Sequence, residues 1–442
     1  MDIDDLKESL RKKTKNQSPD RVKELWENIN SQNNLSTKDK LEKLLALSRK
    51  QITSRENRAK PESPKPASRW SHQPYSVLEN SFNRNTHYGQ IPLSLGLDVP
   101  GKVLAVLARD EAFEKLSLSG SVFIDLETTG LAGGTGTVPF LIGLGFFENQ
   151  EFKLVQYFLS DLAAEPQMLS DLERLLQEKQ FTSVVSYNGK GYDLPLLETR
   201  FTLNRKRLTL ADRPHLDFLF CARHLWKHKY ESCRLYDLAL NRLGVDRSED
   251  IPSEEIPWRY FQYLRTGDFS LVESIIYHNR EDIMSLYGLV VAGAVLVARS
   301  LEGAGSDIEA TELLGVGKVW ERAGELDKSV YFYQKALAKE LPVLVSNKVR
   351  KNLAHHYKKK KQWEKSIELW EYLMENSEDL ECFRELAIYY EHRKKSPEEA
   401  LKYALDGLAL SEGHNLKYEQ DFKKRVERLG QKINRLKGPT EK

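Results

Sequence analysis

Between residues 78 and 299 short apolar runs alternate with stretches whose apolar positions recur at helical spacing. The runs at 121–126, 139–147 and 152–158 are short, apolar and rich in β-branched and aromatic residues, and they predict three consecutive strands. Residues 166–179 place Met168, Leu169, Leu172, Leu175 and Leu176 on one face, which predicts a helix. A buried strand follows at 183–187 and ends at Asn188-Gly189. Helices are predicted at 194–203, at 235–243 (stopped by Gly244) and over a long span, 270–298. Three strands and then helix–strand–helix predict an α/β domain, a mixed sheet with helices on its faces.

After Gly303 the strand signals stop and helical periodicity continues to the C-terminus. Aligning Gly317, Trp320, Gly324, Ser329, Tyr333 and Ala336 with Ala354, Tyr357, Ser366, Trp370 and Leu373 gives an internal repeat. Ala387, Tyr390, Ala400 and Ala404 form a third copy. Small residues where paired helices cross, with aromatics beside them, make this all-α segment resemble a tetratricopeptide-like helical repeat domain. At the other end, residues 51–73 shift to Ser, Pro, Arg and Lys, the composition of a linker. Three parts are therefore expected: a charged N-terminal segment with its linker over 1–77, an α/β domain over 78–302, and helical repeats over 303–442.

The 442 residues carry 67 basic and 65 acidic side chains, a net charge of +2 that by itself points to no partner. Its distribution says more, because residues 1–70 hold 17 basic against 11 acidic groups and residues 414–442 hold 9 against 4. Basic ends around an acidic body suit a nucleic-acid tether, and equally suit solvated Lys-rich helices. The three cysteines, Cys221, Cys233 and Cys382, make no CxxC pair and no zinc spacing. That usage, an acidic N-terminus without a signal core, and an apolar stretch at 286–298 too short to span a bilayer predict a soluble cytoplasmic protein with no membrane partner.

The chemistry concentrates in three places. Asp125 and Glu127 lie at i and i+2 as a strand ends, so their carboxylates project from one face. Two like charges side by side stay ionised comfortably only beside a cation, and an all-oxygen pair suits Mg²⁺ or Mn²⁺. Asp193 opens a helix after the Gly-rich turn 188–191, where capping and metal ligation are compatible roles. His278 and Asp282 are one helical turn apart on a shared face. His278 is suited to take a proton from an attacking water, its ordinary pKa being near neutral. Tyr277, about 140° around the helix from Asp282, is the rival for that role and is otherwise expected in the core.

Together these segments resemble the DEDD-type 3′–5′ exonucleases of the ribonuclease H-like superfamily. Asp125 and Glu127 match that family's first motif, Asp193 its second, and Asp282 the last acid of its third. With the C-terminal repeats, the chain looks like a bacterial group of ribonuclease H-like proteins carrying tetratricopeptide repeats. The resemblance implies a ribonuclease H-like fold and metal-dependent 3′–5′ exonuclease activity with two ions, Mg²⁺ or Mn²⁺. Asp125 would bridge both ions, Glu127 and Asp282 would complete the first site, and Asp193 would hold the second. The implied substrate is nucleic acid, DNA or RNA, at a single-stranded 3′ end, and the repeats would bind a protein partner. His stands here at the family's tyrosine spacing and Tyr at its histidine spacing; His278 is taken as the base because it shares the face of Asp282, with Tyr277 the alternative.

Other residues carry two readings each. The Gly-rich insert 131–137 is a donor-lined loop for a terminal phosphate or a hairpin connection, and no Gly-Lys-Ser/Thr makes it a P-loop. Asp217 supports the acids from behind or is simply structural. Trp258, Tyr260, Phe261 and Tyr263 stack bases or fill the core, helical spacing favouring the core. The competing function is a non-catalytic adaptor, with a nuclease-like domain and repeats used as a scaffold.

Overall fold

The computed structural model describes residues 73–130, 136–301 and 308–437. The charged segment and most of the linker, and residues 131–135 of the Gly-rich insert, lie outside the described residues. Six strands, β1 (Tyr75–Asn83), β2 (Ser121–Thr128), β3 (Pro139–Glu148), β4 (Glu151–Leu159), β5 (Ser183–Ser186) and β6 (His215–Asp217), form one sheet in the order β1-β4-β3-β2-β5-β6. β1 to β4 pair antiparallel, and β5 and β6 add in parallel beside β2. The mixed sheet expected from the run of strands is present. β1 was hidden because it is an edge strand of alternating polar residues, Tyr75 against Leu159 through Asn83 against Glu151.

The helices are α1 (Gly101–Ala108), α2 (Glu165–Lys179), α3 (Asp193–Leu203), α4 (Phe218–Trp226), α5 (Ile256–Thr266) and α6 (Ser270–Leu301). The helix expected at 235–243 is present, α-helical over Leu235–Leu238 and widening into a π-helical turn over Ala239–Leu243 before Gly244. Side-chain parity on β2 divides the core. Val122, Ile124 and Leu126 face a layer with Met168, Leu172 and Tyr260. Phe123 faces the opposite layer, with Phe218, Leu225, Tyr287 and Val291. Asp125 and Glu127 share the parity of Phe123 and so point toward α6.

α6 is the element that completes the site. It is long and apolar enough by composition to cross a membrane, yet 83% of its most apolar window is buried inside the protein, as expected of a core helix. Two glycines of β3 let it seat. A Cβ on Gly143 would fall 2.1 Å from Asn279 Oδ1, and one on Gly145 2.5 Å from Ile283 Cγ2. Gly143 pairs with Asp125 across the sheet, so this close approach sets residues 278–283 beside the acidic end of β2.

Residues 308–437 are helical throughout their elements: α7 (Ala310–Arg322), α8 (Leu326–Leu337), α9 (Val343–Lys359), α10 (Trp363–Asn376), α11 (Leu380–Tyr389), α12 (Pro397–Ser411) and α13 (Leu416–Lys437). Ser329, Ser366 and Ala400, the small residues that set the repeat alignment, are all buried. Leu313, Val316, Tyr333 and Leu353 continue the same core that holds Phe218, Leu225 and α6.

Candidate active site

Three segments converge at the end of β2. Register shifts between Glu127 and Thr128, where β2 bends out of its pairing with β3. Just beyond, the Tyr192 hydroxyl donates to Gly130 O at 2.7 Å and lies 3.2 Å from Thr128 Oγ1, which ties the second acidic segment to the strand end. Asp193 opens α3 and is buried. Asp217 holds the loop before it: Oδ1 accepts from Asn188 N at 2.8 Å and Leu219 N at 3.2 Å, and Oδ2 from Lys190 N at 3.2 Å. Asp217 thus caps α4 and clasps backbone N–H groups of the loop that precedes Asp193.

α6 contributes the third segment. His278 Nε2 lies 3.8 Å from Glu127 Oε1 and 3.5 Å from Asp282 Oδ2. Its Nδ1 lies 2.8 Å from Asp250 Oδ1. Tyr277 is turned away, 37% exposed, with the Arg280 guanidinium 4.7 Å above its ring. The expectation of Tyr277 in the core is corrected, because the helix face that carries it is open to solvent. Of the four aromatics on α5, Tyr260 and Tyr263 are core, Tyr260 stacked on Phe140 at 3.8 Å. Trp258 and Phe261, 52% and 48% exposed, are on the outer face.

Charge is concentrated here. Burial first, then Asp282, Glu127 and Asp193, push the Asp125 carboxyl well above the usual carboxylate range. Glu127 is raised by burial, Asp282 and Asp193, and Asp193 is raised to about 7 by burial and Asp217. Arg247 and the imidazole of His278 face them. Arg247, only 2% exposed, donates from Nη1 to Asp282 Oδ1 at 2.6 Å and binds Asp250 through Nε (3.0 Å) and Nη2. Burial works against the Arg247 charge, but Asp282 and Asp250 more than restore it. For His278, burial lowers the pKa, and Asp282 and the Asp250 hydrogen bond outweigh it and raise it. Asn279, fully buried, donates to Asp125 Oδ2 at 2.8 Å while its own Oδ1 accepts from Gln156 Nε2 at 2.8 Å.

Among the described residues no three His, Cys, Asp or Glu side chains already form a metal cage. Asp282 leans instead on Arg247, and Asp125 on Asn279. The donor chemistry nevertheless fits a hard divalent cation: three carboxylates whose ionisation is resisted by their neighbours, all oxygen, with Glu127 and Asp282 still 13% and 18% accessible.

A family model described as the RNase H superfamily matches residues 122–292, the span that holds every acid just described. Over 317 residues the chain is 31% identical to the uncharacterized protein YprB of Bacillus subtilis (strain 168), covering 71% of this chain and 75% of that one. The chain belongs to the YprB family, and residues 122–292 are its RNase H superfamily domain. The family B DNA polymerase from the hyperthermophilic archaeon Pyrobaculum calidifontis is similar over 48% of this chain and 28% of its own, with 14% identity and a TM-score of 0.33, too low to bear on function.

Within the RNase H domain, sequence reasoning missed Arg247, Asp250 and Asn279. Arg247 and Asp250 sit in a polar run, Asp246-Arg247-Ser248-Glu249-Asp250, that reads as a solvated loop. Asn279 had one available signal. It lies between His278 and Asp282 in sequence, three residues before the latter, and its helix faces a sheet strand with two glycines.

Proposed function

We propose that this RNase H domain hydrolyses phosphodiester bonds in nucleic acid as a metal-dependent 3′–5′ exonuclease. The reading is supported by one observation above others: four acids from three separated segments act on one another at the mouth of one strand, with the Arg247 guanidinium and the His278 imidazole between them. Asp125, Glu127, Asp193 and Asp282 would hold Mg²⁺ or Mn²⁺, two ions in the full reading. Bound there, such ions make water a stronger nucleophile and stabilise charge on the leaving oxygen. The protein's own groups do the remainder. His278, steadied at Nδ1 by Asp250, presents Nε2 on the side of Glu127 and Asp282, where it takes up the proton of the attacking water. Asn279 orients Asp125, and Asp217 keeps the loop that delivers Asp193 in place.

In this reading the C-terminal helices are tetratricopeptide-like and bind a protein partner. The test is the purified protein on end-labelled single-stranded DNA and RNA with Mg²⁺ or Mn²⁺. Loss of the 3′ label first, abolished by chelation and by Asp125→Ala, is expected; no metal-dependent cleavage of either strand would sink the enzyme reading. A second reading, a non-catalytic adaptor, is favoured by the Arg247–Asp282 pair, which neutralises one acid without any ion. Metal titration by calorimetry showing binding without turnover would select it.

A further inference from the structure

Gly315 has no side chain to keep α7 off the last turn of α4: a Cβ there would fall 2.1 Å from Leu225 O. Three residues beyond that crossing point on each segment, Lys318 and His228 meet, Nζ against Nε2. Lys227 beside His228, and Lys348 from α9, act on the same imidazole. Three ammonium groups therefore gather where the RNase H domain meets the first C-terminal helices.

Their carboxylate neighbours are already engaged. Glu321 accepts from Tyr333 Oη at 2.6 Å and from His356 Nε2 at 3.0 Å. Glu309 and Glu312 pair with Lys229 at 2.7 and 3.3 Å, and Arg242 adds 3.8 Å to Glu312. Among the described residues, Lys227, Lys318 and Lys348 have no carboxylate within ion-pair distance. The carbonyl end of α4 offers only about half a negative charge. Burial and the neighbouring lysines depress both Lys318 and His228, the latter to about 4. Glu321, one turn along α7, offsets this only in part for Lys318, and a partly buried ammonium short of counter-charge costs stability that a bound anion would relieve.

We propose that Lys227, His228, Lys318 and Lys348 form a phosphate-binding site for the backbone of a nucleic-acid strand, shared between the RNase H domain and the C-terminal helices. Non-bridging phosphate oxygens accept from the ammonium groups, and no base is read. α4 begins directly after Asp217, which secures the loop delivering Asp193, and its nine residues span about 13 Å. A strand whose end lies at the acids has this cluster within reach a few nucleotides upstream. The C-terminal helices then act on the substrate itself as well as on a partner.

The inference rests on the nucleic-acid reading above, but its test does not need catalysis. Binding of a fluorescent oligodeoxythymidylate to the full chain is followed by anisotropy in EDTA, across a salt series. Lys227→Gln, Lys318→Gln and Lys348→Gln are each expected to weaken binding about threefold to tenfold and to lower the slope of log K against log salt by about 0.7. Lys227 and Lys348 are exposed, so their variants fold even where Lys318→Gln does not. Unchanged affinity and slope in Lys227→Gln and Lys348→Gln overturn the proposal, as does polyglutamate competing as well as the oligonucleotide. Binding through these lysines without any metal-dependent cleavage keeps this site and removes the nuclease reading. Cleavage with all three variants binding normally does the reverse.

Discussion

Two buried acid clusters in this chain are treated in opposite ways. In the C-terminal helices, Glu391 is 4% exposed and is met by Arg428 at 2.5 Å, Arg425 and His392 at 3.5 Å and Lys432 at 3.8 Å. One carboxylate has more cations than it needs. At the end of β2, four carboxylates have Arg247 and the imidazole of His278 beside them, and burial first, then neighbouring carboxylates (Asp217 for Asp193), raises the pKa of Asp125, Glu127 and Asp193. A cluster kept for stability is neutralised in place, because an uncompensated buried charge costs several kcal/mol. A cluster left short of positive charge holds that cost in reserve for a ligand that brings the charge.

The largest expected effect breaks this contrast at its centre. Asp125→Asn removes the carboxylate that all the others repel, so hydrolysis of a labelled strand should fall on the order of a thousandfold or more. Thermal unfolding of the metal-free protein should move up by a few degrees, since a repulsion is relieved. A variant that keeps activity, or that loses stability as a paired acid would, places the β2 cluster in the same class as Glu391.

His215 is a partly buried titratable group whose hydrogen bond goes to a neutral partner. Its Nε2 lies 2.8 Å from Ser186 Oγ, and burial lowers its pKa to about 4. The folded imidazole thus binds a proton less readily than the unfolded one, whose ordinary value is 6.5. Its contribution to stability is whole above about pH 6.5 and declines as pH falls toward 4, by about 3 kcal/mol in all. His215→Gln should flatten that part of the pH–stability curve measured by chemical denaturation. An unchanged slope means the side chain is protonated in place.

Glu391→Gln addresses the other cluster. It leaves Arg425, itself largely buried, facing an amide, and should cost about 2 kcal/mol in denaturant unfolding without altering hydrolysis. Loss of activity at unchanged stability would show that the helical region's charges serve the reaction directly.

These differences explain what was legible in the sequence. Local periodicity carries the acids: Asp125 and Glu127 share a face by strand parity, and His278 and Asp282 share one by helical spacing. The strands β2 to β4 and the helices α2, α3 and α6 follow from runs of apolar residues, within a residue or two for most ends. Partners supplied from elsewhere are not encoded locally. Arg247 and Asp250 lie in a polar loop whose composition equals that of any exposed turn, and only the fold buries them against α6. Gly143 and Gly145 read as weak points in a strand, whereas they are the notch that seats Asn279 and Ile283. β1 and β6 were missed because one is polar at the sheet edge and the other is three residues long.

The smallest expected effect sharpens the comparison most, because it separates a partner that neutralises from one that orients. Asp250 neutralises Arg247 and also fixes the ring of His278 through Nδ1, so that Nε2 faces Glu127 and Asp282. His278 and Arg247 together hold Asp250 below the usual carboxylate range, although burial alone would raise it. Asp250→Asn keeps the shape of the side chain and removes its charge. If the contact orients the base, single-turnover hydrolysis should fall about tenfold, with KM and Mn²⁺ affinity by electron paramagnetic resonance unchanged. If Asp250 only balances Arg247, the freed guanidinium binds Asp282 more tightly. Mn²⁺ affinity then falls while the rate at saturating metal stays the same. The orienting role places Asp250 with the groups that serve the reaction, and the balancing role places it with the cations around Glu391.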